Sequence, residues 1–185
     1  IRTAAQAGTS VDHDLFSIVS GTGVLTFSSA PNYEAPGCGA GNNANTCTVI
    51  LSVTDGATAD TITITATVTD ANDAPAFTSS GTTTGTEDTA YSYTPTTSDA
   101  DGDSVAITCT TCPSWLAMSS GALAGTPSDS GVGANSVVLT ADDGTTTTTQ
   151  SFTVTVTNVN DPGVVTLTGT STEGNDYTAA VSDDD

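Results

Sequence analysis

Two short stretches of oxygen-bearing side chains dominate the chemistry this sequence can do. Asp70-Ala71-Asn72-Asp73 leads into Ala74-Pro75, and Asn158-Val159-Asn160-Asp161 leads into Pro162. Carboxylates and amides set this close, then stiffened by proline, suit a hard cation, because calcium takes roughly six to eight oxygen ligands at flexible distances. Further acids stand at turns: Asp55-Gly56, Asp99-Ala100-Asp101-Gly102-Asp103, Asp142-Asp143-Gly144 and Asp183-Asp184-Asp185. Asp and Asn favour turns in any case. That accounts for single positions, but poorly for the same order of acids recurring at two places.

Four cysteines form two close pairs, Cys38 with Cys47 and Cys109 with Cys112. Zinc would need a full ligand set brought together, and His13 is the sole histidine. A redox Cys-x-x-Cys sits as a rule at a helix N-terminus, whereas Cys112 here runs into Pro113-Ser114-Trp115 in β-rich sequence. Structural loop disulfides are the favoured reading and place the chain outside a reducing cytosol. Other residues tempt less. His13 reads as a solvent-facing loop residue, and Ser114 has no partners for a nucleophile. Asp142-Asp143 reads as a strand-end turn before a paired-carboxylate glycosidase site. Trp115 and Tyr33 read as sandwich core before a sugar platform. The threonines 145–149 read as a polar hairpin. The expectation is that the chain is not an enzyme.

The chain has 185 residues, with one Lys or Arg against 21 Asp and Glu and a net charge of −20. The one basic residue is Arg2, so nothing neutralises phosphates, and nucleic acid and anionic membrane surfaces are excluded as partners. Lysine is absent, which also excludes Lys–Asn isopeptide cross-links. So acidic a chain repels itself unless it recruits cations. Disorder fits poorly, because 36% of residues are hydrophobic and Val, Ile and Thr alternate. No apolar run approaches the roughly 18 residues of a membrane span. The chain opens on Ile1, which reads as a processed chain or a segment of something longer.

The elements that must hold the acids are strands. Residues 14–18, 24–27, 48–54 and 61–69 alternate or run β-branched, as do 90–93, 137–142, 152–157, 164–167 and 177–181. None shows a helical period, so the fold expected is all-β.

In order and spacing, Leu15-Phe16-Ser17-Ile18, Thr22-Gly23-Val24-Leu25, Asn32-Tyr33-Glu34, Val53-Thr54-Asp55-Gly56 and Asp70-Ala71-Asn72-Asp73 resemble the latter part of a cadherin-type repeat of bacterial surface proteins. Pro113-Ser114-Trp115-Leu116 and Gly121-Ala122-Leu123-Ala124-Gly125-Thr126-Pro127 resemble the dystroglycan-type, cadherin-like variant. The resemblance implies tandem Ig-like, Greek-key β-sandwiches in three blocks: 1–73, without its opening strands; 74–161, complete; and 162–185, opening strands only.

The resemblance also implies calcium at the junctions. At the first, Glu34 stands at the glutamate of the family's Asp-x-Glu, with Asn32 replacing the aspartate. Asp70, Asn72 and Asp73 are the linker ligands, Asp99 and Asp101 match the following Asp-x-Asp, and Asp143 (or Asp142) matches a later strand end. Glu173 of a preceding unit would supply the opening glutamate. At the second junction the set is Glu87, Asn158, Asn160 and Asp161, with Asp183 and Asp185 from the third block and Asp55 from a next unit. With Asn158 in place of Asp and no Asp-x-Glu in the middle block, this junction is expected to hold ions less well.

The spacing from Asp101 to Met118 matches, to within one residue, that from Asp185 to Ile18 if the chain ran on into another copy. A half-sandwich would expose core and strand edges. The blocks therefore read as one period of a covalent array, or as subunits completed head to tail by strand donation, with an arbitrary cut as a third reading. The function expected is an extracellular structural protein, secreted or at the cell surface, forming a calcium-stiffened filament or stalk. Its partners would be copies of itself. The alternative is a ligand- or glycan-binding module of a large adhesin that meets other cell-surface molecules.

Overall fold

The computed structural model describes residues 3–6, 12–19, 21–168 and 178–182. The chain divides into two compact units, Ile1–Asn72 and Asp73–Asp185.

The first unit is built from β1 (Thr3–Gln6), a short 3-10 turn (His13–Leu15), β2 (Phe16–Ile18), β3 (Leu25–Phe27), β4 (Thr46–Thr54) and β5 (Ala59–Thr67). One sheet has the order β1-β4-β5, and β2 and β3 form a separate antiparallel pair. Strand β1 is not visible in the sequence pattern, because Thr3-Ala4-Ala5-Gln6 neither alternates nor runs β-branched. The core gathers Phe16, Cys38, Cys47 and Val49, with Phe16 stacked on Phe27 at 4.5 Å. Among the described residues β5 is paired on one side alone, by β4.

A buried carboxylate ties this small core together. Asp12 is 3% exposed. Its Oδ1 accepts from Gly39 N–H and its Oδ2 from Thr48 N–H, both at 2.7 Å. Gly39 lies within the loop closed by the Cys38–Cys47 disulfide, at φ +78°, where a side chain would strain the backbone. Asp12 thus joins the lead-in, the disulfide loop and β4.

The second unit holds β6 (Ala76–Phe77), β7 (Thr84–Thr86), β8 (Tyr91–Tyr93), β9 (Thr97–Ser98), β10 (Ala106–Thr111), β11 (Leu116–Ser119), β12 (Ala122–Gly125), β13 (Gly133–Asp142) and β14 (Thr147–Thr157). Its sheets are β10-β13-β14-β7 and β11-β12-β8, with β6 paired to β9. Alternation along β13 and β14 points Val137, Leu139, Val154 and Val156 into a core shared with Tyr91, Tyr93, Leu116 and Leu123. Trp115 packs against this core, edge-on to Tyr91 at 5.9 Å, and its Nε1–H donates to Asn135 Oδ1, as the sequence expects of a core tryptophan. Tyr33 is a correction: it is 39% exposed, on a bend whose carbonyl is held by Asn45. His13 is half-buried in the 3-10 turn, 3.0 Å from Asp14 Oδ1.

A last hairpin, β15 (Val164–Thr168) with β16 (Thr178–Ser182), pairs with no other strand among the described residues. Both cysteine pairs are disulfides, which leaves no thiolates for zinc, and Cys109–Cys112 closes the end of β10, not a helix N-terminus.

Candidate metal centres

The most enclosed acidic group lies in the second unit. Strand β7 runs parallel to β14 and ends in the turn Thr86–Thr89, where Glu87 N–H donates to the Thr157 carbonyl and Asp88 takes φ +53°. This turn points the Glu87 side chain inward, leaving it 1% exposed. Its Oε2 accepts from Val159 N–H at 3.0 Å, while its Oε1 is buried with no donor. Glu87, Asp129 and Asp161 each bring a carboxylate oxygen within 4.8 Å of the others. Asp129 opens the short 3-10 turn Asp129–Gly131 after β12.

The Asp129 carboxyl beside it, then burial and the charges of Asp129 and Asp161, push the Glu87 carboxyl above its ordinary value of 4.5, against the opposing Val159 N–H. A folded-state pKa raised above the unfolded one contributes stability that is whole below the unfolded value and lost as pH rises through the folded value. Ion-free protein should therefore lose stability in the second unit as pH rises from the ordinary glutamate value of 4.5 through the raised value of Glu87. Melts followed by Trp115 fluorescence in chelator should show this slope, and Glu87→Gln should flatten it. An unchanged slope in Glu87→Gln would assign the effect elsewhere.

A second group follows β9. Asp101 N–H and Asp103 N–H donate to Asp99 Oδ1 at 3.0 and 3.2 Å, and Asp73 N–H donates to Asp101 Oδ2 at 2.7 Å. Gly102 at φ +80° lets the loop curl, so that Asp99, Asp101 and Asp103 present oxygens within 4.8 Å of one another. Asp99 Oδ2 and Asp101 Oδ1 are buried without donors. In the first unit, oxygens of Glu34 and Asp70 also lie within 4.8 Å of each other. Asn32 Oδ1 is taken by Ala35 N–H.

The remaining expected ligands stand differently. Asp143 caps its own turn: Oδ1 accepts from Thr145 and Thr146 N–H at 2.6 Å, and Oδ2 from Thr146 Oγ1–H at 2.8 Å. Asp142 Oδ1 likewise accepts from Gly144 N–H. Asp55 Oδ1 accepts from Ala57 and Thr58 N–H, and these bonds, that of Thr58 foremost, lower its pKa. Asn72, Asn158 and Asn160 are exposed, and Asn160 Nδ2–H donates to the Asp161 carbonyl. Glu173, Asp183 and Asp185 lie outside the described residues. Sequence reasoning missed Asp129 and Asp103. Asp129 is a lone acid in Ser128-Asp129-Ser130, where an Asp-x-Glu was sought. Asp103 was visible in the acidic turn but not counted as a ligand.

Residues 74–157 match the family model described as "Putative Ig domain". The sequence matches no curated protein. Among solved structures, the chain is similar to human Protocadherin-24 EC1-2, with 20% identity over 86% of this chain and 82% of that one and a TM-score of 0.53. It is similar to Drosophila N-cadherin EC1-4, with 19% identity over 86% and 41% of the two chains and a TM-score of 0.51. An endo-fucoidan hydrolase of glycoside hydrolase family 107 aligns at 22% identity and a TM-score of 0.41, over 86% of this chain, which spans 24% of that one. The chain is an all-β protein of tandem Ig-like, cadherin-like Greek-key β-sandwich fold.

Proposed function

We propose that this chain is an extracellular structural protein of the kind found on bacterial and archaeal surfaces, in which cadherin-like sandwiches strung end to end form a filament or stalk. Calcium stiffens it, drawn to the linker acids 70–73 and 158–161 and to the carboxylates gathered within each unit. Units continue covalently or by head-to-tail strand complementation. One observation carries the calcium reading: Glu87 is buried beside Asp129 and Asp161 with one oxygen undonated, in a chain with almost no positive charge. Converging carboxylates in such a setting are costly unless a cation neutralises them. Asp99 and Asp101 repeat the pattern with buried, undonated oxygens of their own. The disulfides suit an oxidising, extracellular setting.

A bound ion should hold these groups together, and chelation should loosen them. Calcium at a hundred times its dissociation constant adds about 2.7 kcal/mol. For a unit of this size that is a rise of about 10–20 °C in the unfolding temperature. Scanning calorimetry with calcium, with magnesium and with chelator reads this directly. Asp129→Asn should weaken calcium binding about tenfold or more by isothermal titration. Identical melts in calcium and in chelator would overturn the calcium reading.

A further inference from the structure

The second unit shows how this sandwich covers one end of its long strand pair. On β14, Gln150 and Phe152 lie beneath the segment that continues β6. Gln150 Nε2–H donates to the Ser79 carbonyl at 2.6 Å, and Tyr93 O–H donates to Gln150 Oε1 at 2.9 Å while meeting Ser79 Oγ at 2.8 Å. A Cβ on Gly81 would come within 2.6 Å of the Phe152 ring. Under this cover Val137, Leu139 and Ala141 of β13 are 1%, 0% and 0% exposed.

The first unit has the same strand pair in the same register. Leu51 faces Ile62 and Val49 faces Ile64, as Leu139 faces Gln150 and Val137 faces Phe152. Ile62 precedes Asp70 by the same distance as Gln150 precedes Asn158. Here the cover is missing among the described residues. Val49 is buried, but Leu51 and Val53 are half-buried and Ile62 is 61% exposed. With Ile18, Leu51, Val53 and Ile62 line an open apolar groove of 210 Å³.

The hairpin β15–β16 follows the second junction as β6 and β9 follow the first, with its own run of pairs. Counted from Asp161, as Phe77 is counted from Asp73, Val165 stands at the place of Phe77, two residues before Ser79 on the same face of the segment and packed against the core. Val164, Val165 and Val181 are 57%, 63% and 72% exposed. Gln150, met by the polar Ser79 and Tyr93, gives way to Ile62 in the first unit, and the hairpin presents Val164, Val165 and Val181, so a polar cover meets a polar floor in one case and apolar matches apolar in the other. The hairpin follows the whole second unit in sequence, whereas the groove precedes it.

We propose that the β15–β16 hairpin of one copy seats over the β4–β5 pair of a second copy, with Val165 against Ile62. This rests on the filament reading above, names the surfaces that join its units, and does not depend on calcium. Such a head-to-tail contact uses two different patches and propagates as a fibre unless it closes a ring.

The test uses the full chain in calcium, by analytical ultracentrifugation across concentrations. The parent chain should form concentration-dependent oligomers. Ile62→Glu and Val165→Glu should each weaken self-association at least 100-fold. An equal mixture of the two should give heterodimers and stop there, because each variant keeps one intact patch. That recovery separates a blocked surface from a misfolded one. A parent chain that stays monomeric, variants that assemble as the parent does, or a mixture that stays monomeric would each overturn the proposal. Assembly that persists while calcium and chelator give identical melts would leave this proposal standing and sink the calcium reading.

Discussion

Replacing Asp12 by alanine should destabilise the first unit by about 3–5 kcal/mol, enough to unfold much of it at room temperature. Asp12 is 3% exposed, and its two oxygens hold the N–H groups of Gly39 and Thr48. Removing the carboxylate deletes two charge-assisted bonds and leaves two enclosed N–H groups without acceptors, and each such loss weighs about 1–3 kcal/mol. The unit has little else to compensate, since its four-residue buried cluster already includes the two half-cystines of one disulfide. Asp12→Asn should fall in between, because an amide can accept at one site but presents a donor at the other. The sole tryptophan, Trp115, lies in the second unit, so its fluorescence melt should hardly move. Hydrogen exchange at the Gly39 and Thr48 amides should accelerate by orders of magnitude. Exchange at those amides that matches the parent would refute the clamp.

In the second unit the largest single effect is expected at Gly125. This residue pairs with Leu116 in the β11–β12 hairpin, and a Cβ there would run into the Trp115 carbonyl oxygen, with Leu116 Cα also at 3.2 Å. Both obstacles are backbone, so neither can swing aside. Gly125→Ala must either open the hairpin, which supports Leu116 and Leu123 in the core, or fail to form it. A loss above about 4 kcal/mol is expected, in the range reserved for overpacking and backbone strain. Gly121→Ala is the control. Gly121 sits at φ +82° with open space around it, so that change should cost only about 1 kcal/mol. Denaturant unfolding followed by Trp115 reports both. Near-equal costs would mean that the Trp115 carbonyl yields.

What could be read from the sequence follows from how many residues carry each signal. Strand β5 declares itself because its residues repeat one alternation, whereas β13 and β14 were legible only at 137–142 and 152–157, and the structure extends them back to Gly133 and Thr147 through Gly-, Asn-, Ser- and Thr-rich stretches. Glu87 and Asp161, which the structure brings together, were marked by repetition, since a turn explains one aspartate but not a recurring order, while Asn72, Asn158 and Asn160 stand exposed. The features that escaped rest on single residues whose role depends on long-range contact. Asp12 is an acid in a polar lead-in, and only the fold brings it to residues 27 and 36 positions away. Asp129 stands alone between serines, and its meaning comes from Glu87, brought near by the hydrogen bond of Asp88 to Pro127. Strand β1 has no pattern of its own and is defined by its pairing with Leu51–Thr54. Tyr33 was expected in the core on residue type alone, and a bend turned it outward.

The parallel pairing of β7 with β14 has a mechanical consequence. One strand lies near the start of the second unit and the other closes its sandwich, and Thr84–Thr86 align with Thr155–Thr157 in the same direction. A pull on the two ends of this unit drags these strands past each other lengthwise. The hydrogen bonds between them, including Thr155 N–H to Thr83 and Glu87 N–H to Thr157, are then loaded together and not peeled one by one. Tension along the chain thus meets shared resistance at the strand pair beside the Glu87 carboxylate.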